Sequence, residues 1–332
     1  MPLDLHLIRH ALMLAKHGNF RRAARALHVS QPTLSRNVAT LERSLGVRLF
    51  DRTSTGAELT GLGRLVLERG RALLAGESDL LREIALQHGL EAGNLAVSAG
   101  PHPFEISVVH ALTRLIAEHP RLSLQATVAH GREVIRDVLS GDVDVGVTDR
   151  SVAVKQERLS VEPLPAHPIF LACRPGHPLA TKRRVTPAEI DAYPLAATHL
   201  IGHIAEFATS TGIRGGTYDP DSGDYRPAIH VNSFAVARQI ASGSDAIASG
   251  IAVTLAADIE AGRLVTLDFH AAELQTRYAI ITLKGRTLSP SAAKFIELLR
   301  EVETEVARAE SGQLPRRIAP RKATAKAGRP RR

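Results

Sequence analysis

The chain has 332 residues, of which 44% are apolar and 23% are charged. This length predicts two or three domains, and the apolar fraction is sufficient for sizeable cores. The single cysteine, Cys173, excludes an intramolecular disulfide framework and a multi-cysteine metal site, and its apolar setting in IFLAC predicts a buried strand residue. The charged N-terminus has no signal core, and no apolar run approaches the ~20 residues that span a bilayer. We therefore expect a soluble, cytoplasmic protein without a membrane partner.

The net charge of +8 is distributed unevenly along the chain. Residues 1–56 hold nine Lys/Arg and three Asp/Glu, whereas residues 311–332 hold eight Lys/Arg and no acidic residue. The intervening residues carry a net negative charge. A basic head and a basic tail around an acidic middle are typical of a protein that contacts nucleic acid at its ends.

Taken in chain order, the first predicted elements are three helices between residues 5 and 45. Asn19 and Ser30 can cap the second and third helices, and Gly18 and Gly46 can end the first and third. The first helix has its apolar face at Leu5, Ile8, Leu12 and Ala15. The third repeats apolar residues at helical spacing, at Leu34, Val38, Leu41 and Leu45. Two short helices joined by a tight turn predict a helix-turn-helix, whose second helix presents its N-terminal residues to the major groove.

Polar side chains at the start of the third helix predict the DNA-reading surface. Arginine is the side chain that most often contacts guanine in the major groove. The polar residues after Phe50 suit a two-stranded wing that reaches phosphate, although a merely solvated loop explains the same residues. The predicted DNA-binding residues are Gln31, Pro32, Thr33, Ser35, Arg36, Arg52 and Thr53.

The run AARALHVSQPTLSRNVATLERSLGVRLFDR at 23–52, followed by LTGLG at 59–63, resembles the LysR-type transcriptional regulators. The resemblance implies a winged helix-turn-helix domain at 1–59 and a linker helix with a hinge at 60–93. It also implies that this helix pairs with its twin to make a homodimer, with a homotetramer as the larger alternative. The sequence itself shows an amphipathic helix with apolar residues at Leu62, Leu65, Val66, Leu73, Leu80, Leu81 and Ile84. Gly70 and Gly76 allow another helix to approach closely, or mark a bend.

From Asn94 onward, short strand-like runs alternate with helical segments, which favours α/β layering. The segments EHPRLSLQATVAHGREVIRDVLSGDVDVGVT and RPGHPLA resemble the effector-binding domain of the same family, which is shaped like periplasmic solute-binding proteins. The resemblance implies a domain at 94–310 with lobe 1 at 94–162 and 267–309 and lobe 2 at 163–266. The acidic stretch 211–227 is predicted to be a solvated loop. The expected fold class is an α+β multidomain chain: a winged helix-turn-helix, a long linker helix and a two-lobed α/β domain.

In such a fold, ligands lie between the lobes, beyond the carboxyl ends of the strands. Hydroxyl groups, backbone amides and helix N-termini at these positions suit a small anion or a polyol. Each residue also has an ordinary structural explanation, Ser98 as a strand residue and Ser233 as a helix cap. The predicted effector-binding residues are Ser98, Gly100, His102, His130, Thr148, Thr198 and Ser233.

These patterns predict a sequence-specific transcriptional regulator that binds double-stranded DNA and a small-molecule effector. The alternative is a solute-binding protein or an enzyme with a helical head. The sequence has no nucleotide-binding glycine loop, nucleophile elbow or HExxH motif, so no catalytic residue, metal or cofactor is predicted. The fifteen histidines are interpreted as surface or phosphate-proximal residues, with His6, His10 and His17 on the first helix.

Residues 311–332 are predicted to form a disordered basic tail, because they contain too few apolar side chains to offset the entropy of ordering. The last six residues, AGRPRR, resemble an AT-hook, which places arginine in a narrow minor groove. Generic attraction to phosphate and a purely solubilising role explain the same composition.

Overall fold

The computed structural model describes residues 3–53, 56–88, 93–210 and 216–312. The chain divides into two compact units, one of residues 1–88 and one of residues 89–332. Within the described ranges, no helix combines the length and the apolar character that crossing a membrane requires. The predicted hinge after His88, the tip of the wing and the predicted tail beyond Gly312 fall outside these ranges.

The N-terminal unit has the predicted helix-turn-helix layout. Asn19 accepts hydrogen bonds from the amides of Arg21 and Arg22, and Gly18 and Gly46 end their helices in the left-handed conformation. The predicted caps are therefore present. The elements in chain order are α1 (Leu5–His17), α2 (Phe20–Ala26), α3 (Gln31–Leu45), β1 (Phe50–Thr53), β2 (Gly56–Leu59) and α4 (Gly61–His88).

The core of this unit lies between α1, α3 and α4. Leu34, Val38 and Leu41 of α3 are buried, whereas Leu45 is only partly covered. The predicted face of α1 packs against this core, with Ile8 fully buried and Leu5, Leu12 and Ala15 half-buried, and His10, Ala11 and Leu14 are buried beside it. Gly70 allows the close helix approach that the sequence suggested, since a Cβ there would lie 2.7 Å from Cγ2 of Ile8.

The C-terminal unit begins with β3 (Asn94–Ala99), α5 (Pro101–Pro103), a π-helical turn (Phe104–Val108), α6 (Val109–Glu118), β4 (Ser123–Val128), α7 (Gly131–Ser140), β5 (Val145–Asp149), α8 (Arg150–Ala153) and β6 (Leu159–Pro163). It continues with β7 (Phe170–Cys173), α9 (Pro187–Ile190), β8 (Ala196–Ala197), α10 (Gly202–Ser210), β9 (Gly216–Asp219), β10 (Asp224–Pro227), β11 (Ile229–His230) and α11 (Phe234–Gly243). The last elements are β12 (Ala248–Gly250), α12 (Ala252–Glu260), β13 (Val265–Thr266), β14 (Tyr278–Leu283) and α13 (Pro290–Gly312).

Lobe 1 is built on a five-stranded sheet in the order β4-β3-β5-β14-β6. β3 is parallel to β4 and β5, whereas β14 is antiparallel to β5 and β6. Apolar side chains of β3 and β5 pack against α6 and α13, with Phe295 fully buried among them. The parallel strands therefore end at one edge of the sheet, where the helices that follow them begin.

Lobe 2 contains an antiparallel sheet in the order β12-β7-β13 and a parallel pair of β8 and β11. Its core includes Leu171, Ile190 and Ile247. Cys173 lies in β7 and is fully buried, so the prediction of a buried strand cysteine is confirmed.

Two segments, 164–169 and 274–278, cross between the lobes and bond to each other. The amide of Ile169 donates to the carbonyl of Leu274 and the amide of Thr276 to that of His167, both at 2.9 Å. The predicted border of lobe 2 at residue 266 is wrong, because Leu267, Phe269 and Leu274 pack in the core of lobe 2. Lobe 2 therefore extends to the second crossing segment.

Two further predictions need correction. The stretch predicted to be a solvated loop contains the β9–β10 hairpin, which is held in place by the buried Tyr225. At the C-terminus, α13 continues to Gly312, two residues into the predicted tail.

Candidate functional site

The N-terminal turn of α3 presents most of the predicted DNA-binding side chains. Ser30 precedes the helix, and its Oγ accepts from the amide of Thr33 at 3.2 Å. The predicted residues Gln31, Pro32 and Arg36 are exposed, while Thr33 and Ser35 are half-buried. The exposed side chains lie opposite the buried stripe of α3, so this turn is available to an external partner. The side chains of Arg52 and Thr53 in the wing lie outside the described residues.

Polar contacts fix α3 against its neighbours. Nδ2 of Asn37 lies 2.8 Å from Nδ1 of His10 on α1, and burial lowers the pKa of His10. His10 is therefore a buried, hydrogen-bonded residue, which corrects its interpretation as a surface histidine. The carboxylate of Glu42 accepts from the amides of Leu49 and Phe50 at 2.7 and 3.2 Å, which ties the end of α3 to the start of the wing.

A cleft of about 980 Å³ lies between the lobes. Five of the predicted effector-binding residues line it, namely Gly100, His102, His130, Thr148 and Thr198. Ser98 and Ser233 lie outside its lining. The structure thus brings together five positions that are up to 98 residues apart in the chain, as expected for strand ends that meet at one edge.

Ser98 and Ser233 are absent from the cleft lining for different reasons. Ser98 is fully buried in β3, whose two faces are both covered, and its Oγ donates to Oδ2 of Asp137 on α7 at 3.3 Å. Ser233 precedes α11 and lies between Asn232 and Phe234, which do line the cleft. Ser98 therefore does not reach the cleft in this structure, whereas a ligand contact of Ser233 stays a prediction.

His102 contacts the aromatic side chains of Tyr278 and Phe234. Its Nδ1 lies 2.7 Å from the hydroxyl of Tyr278, and its ring lies 4.5 Å from that of Phe234, measured between centroids. Burial, together with the charges of Arg238 and His167, lowers the pKa of His102 to about 3. The ring is therefore neutral at pH 7. Its Nε2 is buried and has no hydrogen-bond partner among the described residues.

Three histidines, His130, His199 and His230, meet at another part of the cleft. The ring of His199 lies 5.2 Å from that of His130 and 4.2 Å from that of His230. Burial and neighbouring positive groups, which include Arg226, lower the pKa values of His199 and His230. Among the described residues no group of three His, Cys, Asp or Glu side chains could hold a metal ion. The lowered pKa values favour the neutral form of His199 and His230.

The sequence reasoning missed His230, Arg226 and Tyr278, all of which line the cleft. The signal that could have found His230 is the one used for His130, since each lies at or just after the end of a strand. Tyr278 begins β14, where the chain passes from lobe 2 back into lobe 1. Its place in the cleft depends on the course of the second crossing segment.

Ion pairs bridge the lobes at two places. Nη2 of Arg238 in lobe 2 lies 2.5 Å from Oε1 of Glu105 in lobe 1, while Asp258 of lobe 2 binds Nε of the same arginine at 3.1 Å. At the second place, Nε of Arg132 in lobe 1 donates to Oδ1 of Asp224 in lobe 2 at 3.3 Å. These contacts hold the lobes together around the cleft.

The chemistry of the lining differs from the expected anion or polyol site. The N-terminus of α7 is covered by an apolar side chain, since a Cβ on Gly131 would lie 2.3 Å from Cδ1 of Ile201. Many lining side chains are aliphatic or aromatic and belong to the core of lobe 2. These are Leu171, Ile190, Leu195, Phe207, Phe234 and Leu274.

Comparison with known proteins explains both units. A family model described as the bacterial regulatory helix-turn-helix protein of the lysR family matches residues 5–64, and the LysR substrate binding domain matches residues 88–304. An SDS degradation transcriptional activation protein from a Pseudomonas strain is 36% identical over 293 residues, covering 87% of this chain and 93% of that protein. The DNA-binding transcriptional dual regulator OxyR of Escherichia coli is 32% identical over 190 residues, or 57% of this chain and 61% of that protein.

Solved structures share the fold. A full-length OxyR variant from Pseudomonas aeruginosa has a TM-score of 0.58 at 20% identity, covering 95% of this chain and 100% of that one. Full-length CbnR in complex with its target DNA has a TM-score of 0.53 at 21% identity, covering 90% and 99% of the two chains. Since the LysR substrate binding domain alone matches more than half of the chain, the protein belongs to the LysR family and is a DNA-binding transcriptional regulator with an effector-binding domain.

Proposed function

We propose that this regulator binds its operator as a homodimer through the N-terminal turn of α3. The observation that carries this proposal is the exposed cluster of Gln31, Pro32 and Arg36 on a helix whose opposite face is fixed in the core. Half-buried Thr33 and Ser35 flank it, and Arg52 and Thr53 of the wing would add phosphate contacts. Because its target is chromosomal DNA, the protein would act in the cytoplasm.

The dimer interface is proposed to be α4. Leu62, Leu65, Leu73 and Leu80 are between 48% and 58% exposed on this helix, at spacings of three, eight and seven residues. Leucines in such a repeat form a seam that a second helix of the same kind can cover. The side chains of Leu81 and Ile84, which were predicted to share this face, lie outside the described residues.

The effector is proposed to bind in the cleft, in contact with Gly100, His102, His130, Thr148 and Thr198. Its affinity would differ between arrangements of the oligomer and thereby change DNA binding. The family consists of transcriptional regulators, and we propose no catalytic step. The Pseudomonas relative is named for activating SDS degradation, and SDS combines an apolar chain with a polar head, which gives a reason to include amphiphiles among candidate effectors.

Selection of duplex DNA from a random pool tests this function directly. The full chain should enrich one sequence family with twofold symmetry, because two copies of α3 read two half-sites. Light scattering should show a dimer or a tetramer, and replacing Leu73 and Leu80 by glutamate should lower the assembly to monomers. Failure to enrich any sequence, or unchanged assembly in the double variant, would contradict the corresponding part of the proposal.

A further inference from the structure

The cleft continues from the polar rim between the lobes into the apolar core of lobe 2. Leu171, Ile190 and Leu195 line it while being at most 6% exposed, and all belong to the core cluster of lobe 2. Phe207 and Leu274 lie on the same inner wall. A ligand that fills this space gains free energy by removing apolar surface from water.

The carboxylates at the cleft are already bound by other groups of the protein. Asp149 accepts from the amide of Ser151 at 2.8 Å, and Asp224 is bound by Arg132. Of the described residues that line the cleft, Arg226 is the only lysine or arginine. The charges of the lining therefore favour neither a multivalent anion nor a cation as the ligand.

Polar side chains line the outer part of the cleft, and the buried His102, Thr148, Asp149 and Thr198 line its deeper part as well. Arg226 and Asn232 are exposed, and His199 and His230 are half-buried, in contrast to the buried inner wall. This arrangement suits one polar group held at the rim and an apolar body directed inward. The volume of about 980 Å³ lies near the upper end of the range of roughly 300–1,000 Å³ that ligand pockets occupy.

The geometry points to a medium-chain aliphatic amphiphile as the occupant of the cleft. Its chain lies against the inner wall of lobe 2, in the space bounded by Leu171, Ile190 and Leu195, which we call the inner chamber. Its single polar head lies at the rim beside His199 and His230. This inference rests on the proposed function, because it names the chemical class of the effector. It replaces the expected small anion or polyol, which would leave the inner wall uncovered.

A homologous series of ligands gives the sharpest test. Binding of 1-butanol, 1-hexanol, 1-octanol and 1-decanol to the full chain is measured by calorimetry below their solubility limits, beside glycerol and sulfate. Each added methylene should tighten Kd by about three- to fourfold until the chamber is full. An affinity independent of chain length, no binding of any alkanol, or preferred binding of glycerol or sulfate would overturn the inference.

Two tryptophan variants, one in the lining of the cleft and one outside it, test the position of the bound alkanol. Ile204→Trp places a large ring on the lining and should weaken 1-octanol binding by about tenfold, equivalent to losing room for about two methylenes. Val236→Trp adds the same ring on α11, where Val236 is 48% exposed and outside the lining, and should leave the affinity unchanged. Equal weakening by both variants, with unaltered thermal unfolding, would place the alkanols elsewhere.

The DNA affinity measured in the same solutions separates this inference from the proposed function. If alkanols bind with the expected chain-length dependence but leave affinity for the selected duplex unchanged, the ligand class stands and the effector role fails. If sulfate or glycerol alters DNA affinity while alkanols do not bind, the effector role stands and the ligand class fails.

Discussion

Nε2 of His167 lies 2.9 Å from Oε2 of Glu303, and both side chains are almost completely buried. Nδ1 of the same ring lies 2.7 Å from Oε2 of Glu310. His167 belongs to the first segment that crosses between the lobes, whereas both glutamates belong to α13. Burial by itself lowers the pKa of His167, but hydrogen bonds to the two carboxylates and their charges outweigh this effect and raise it to about 9. A protonated histidine therefore fastens the crossing segment to α13.

This contact predicts that stability falls as the solution becomes alkaline. The folded pKa of about 9 exceeds the unfolded value of 6.5, so the stabilisation is complete below pH 6.5 and is lost as pH rises through 9. The difference corresponds to a free energy on the order of 3 kcal/mol. Urea unfolding followed by circular dichroism should therefore show a midpoint that decreases between pH 6.5 and 9.

Two histidine variants test the origin of that decrease. His167→Gln should be less stable at pH 6.5 and should show a smaller decrease toward pH 9. His270→Gln removes an exposed histidine 3.7 Å from Asp268 and should keep the wild-type decrease. The assignment to His167 is wrong if His167→Gln keeps the full pH dependence.

Arg36→Ala should weaken binding to the selected duplex by about 1–3 kcal/mol if the guanidinium contacts a base in bidentate fashion. Arg43→Ala is the matched control, because Arg43 lies on the last turn of α3 and donates to the carbonyl of Ala39 and the hydroxyl of Thr40. Titrations by fluorescence anisotropy on the selected and on scrambled DNA compare the two. Arg36 has no role in reading if its variant keeps both affinity and sequence preference.

Gly63→Ala should destabilise the N-terminal unit. A Cβ at this position would lie 2.1 Å from the carbonyl oxygen of Leu49, which is backbone and also accepts from the amide of Thr60. Displacing α4 should cost about 1–3 kcal/mol, in spite of the helix propensity gained with alanine. Gly61→Ala, which meets nothing within 4 Å, should leave the urea midpoint nearly unchanged. Equal midpoints for both variants would contradict this close contact.

Removal of residues 313–332 tests the basic tail, which lies outside the described residues. These residues contain eight Lys/Arg, and each phosphate neutralised contributes about 0.9 to the slope of log K against log salt. Deletion should flatten the slope by a few units on operator and random DNA alike. A full-length variant with all eight replaced by glutamine should behave like the deletion. Superimposable slopes would show that the tail does not engage the duplex.

The thiol of Cys173 should be unreactive in the folded protein. This would hold even though the similar proteins include OxyR and a hydrogen peroxide-inducible genes activator, both from Escherichia coli. Burial raises the pKa of its thiol to about 12, so about one thiol in ten thousand is ionised at pH 8. A thiol-reactive dye should label it only after unfolding in urea. Ser160→Cys, at an exposed position of β6, provides a rapidly labelled control. Labelling of folded wild-type protein at the control rate would contradict its burial.

The helix-turn-helix could be predicted from the sequence because its determinants are local. Asn19 and Ser30 cap helices with side chains that reach amides two or three residues away, and Leu34, Val38 and Leu41 form a stripe through helical spacing alone. The same reasoning predicted short strands alternating with helices from Asn94 onward, since an apolar run bounded by turns is a property of a few consecutive residues.

Features that depend on which elements meet were decided only by the tertiary structure. Ser98 lies near a strand end, as Gly100 and Thr148 do, yet its side chain faces α7. Both faces of β3 are covered, so the alternation of side chains along the strand does not indicate which face lies toward a ligand. His130, His199 and His230 come together across 100 residues of chain, and the apolar chamber arises where the core of lobe 2 is left open toward lobe 1. Local preference fixes neither the pairing of distant elements nor the space between them, since both depend on contacts that form only when the whole domain has packed.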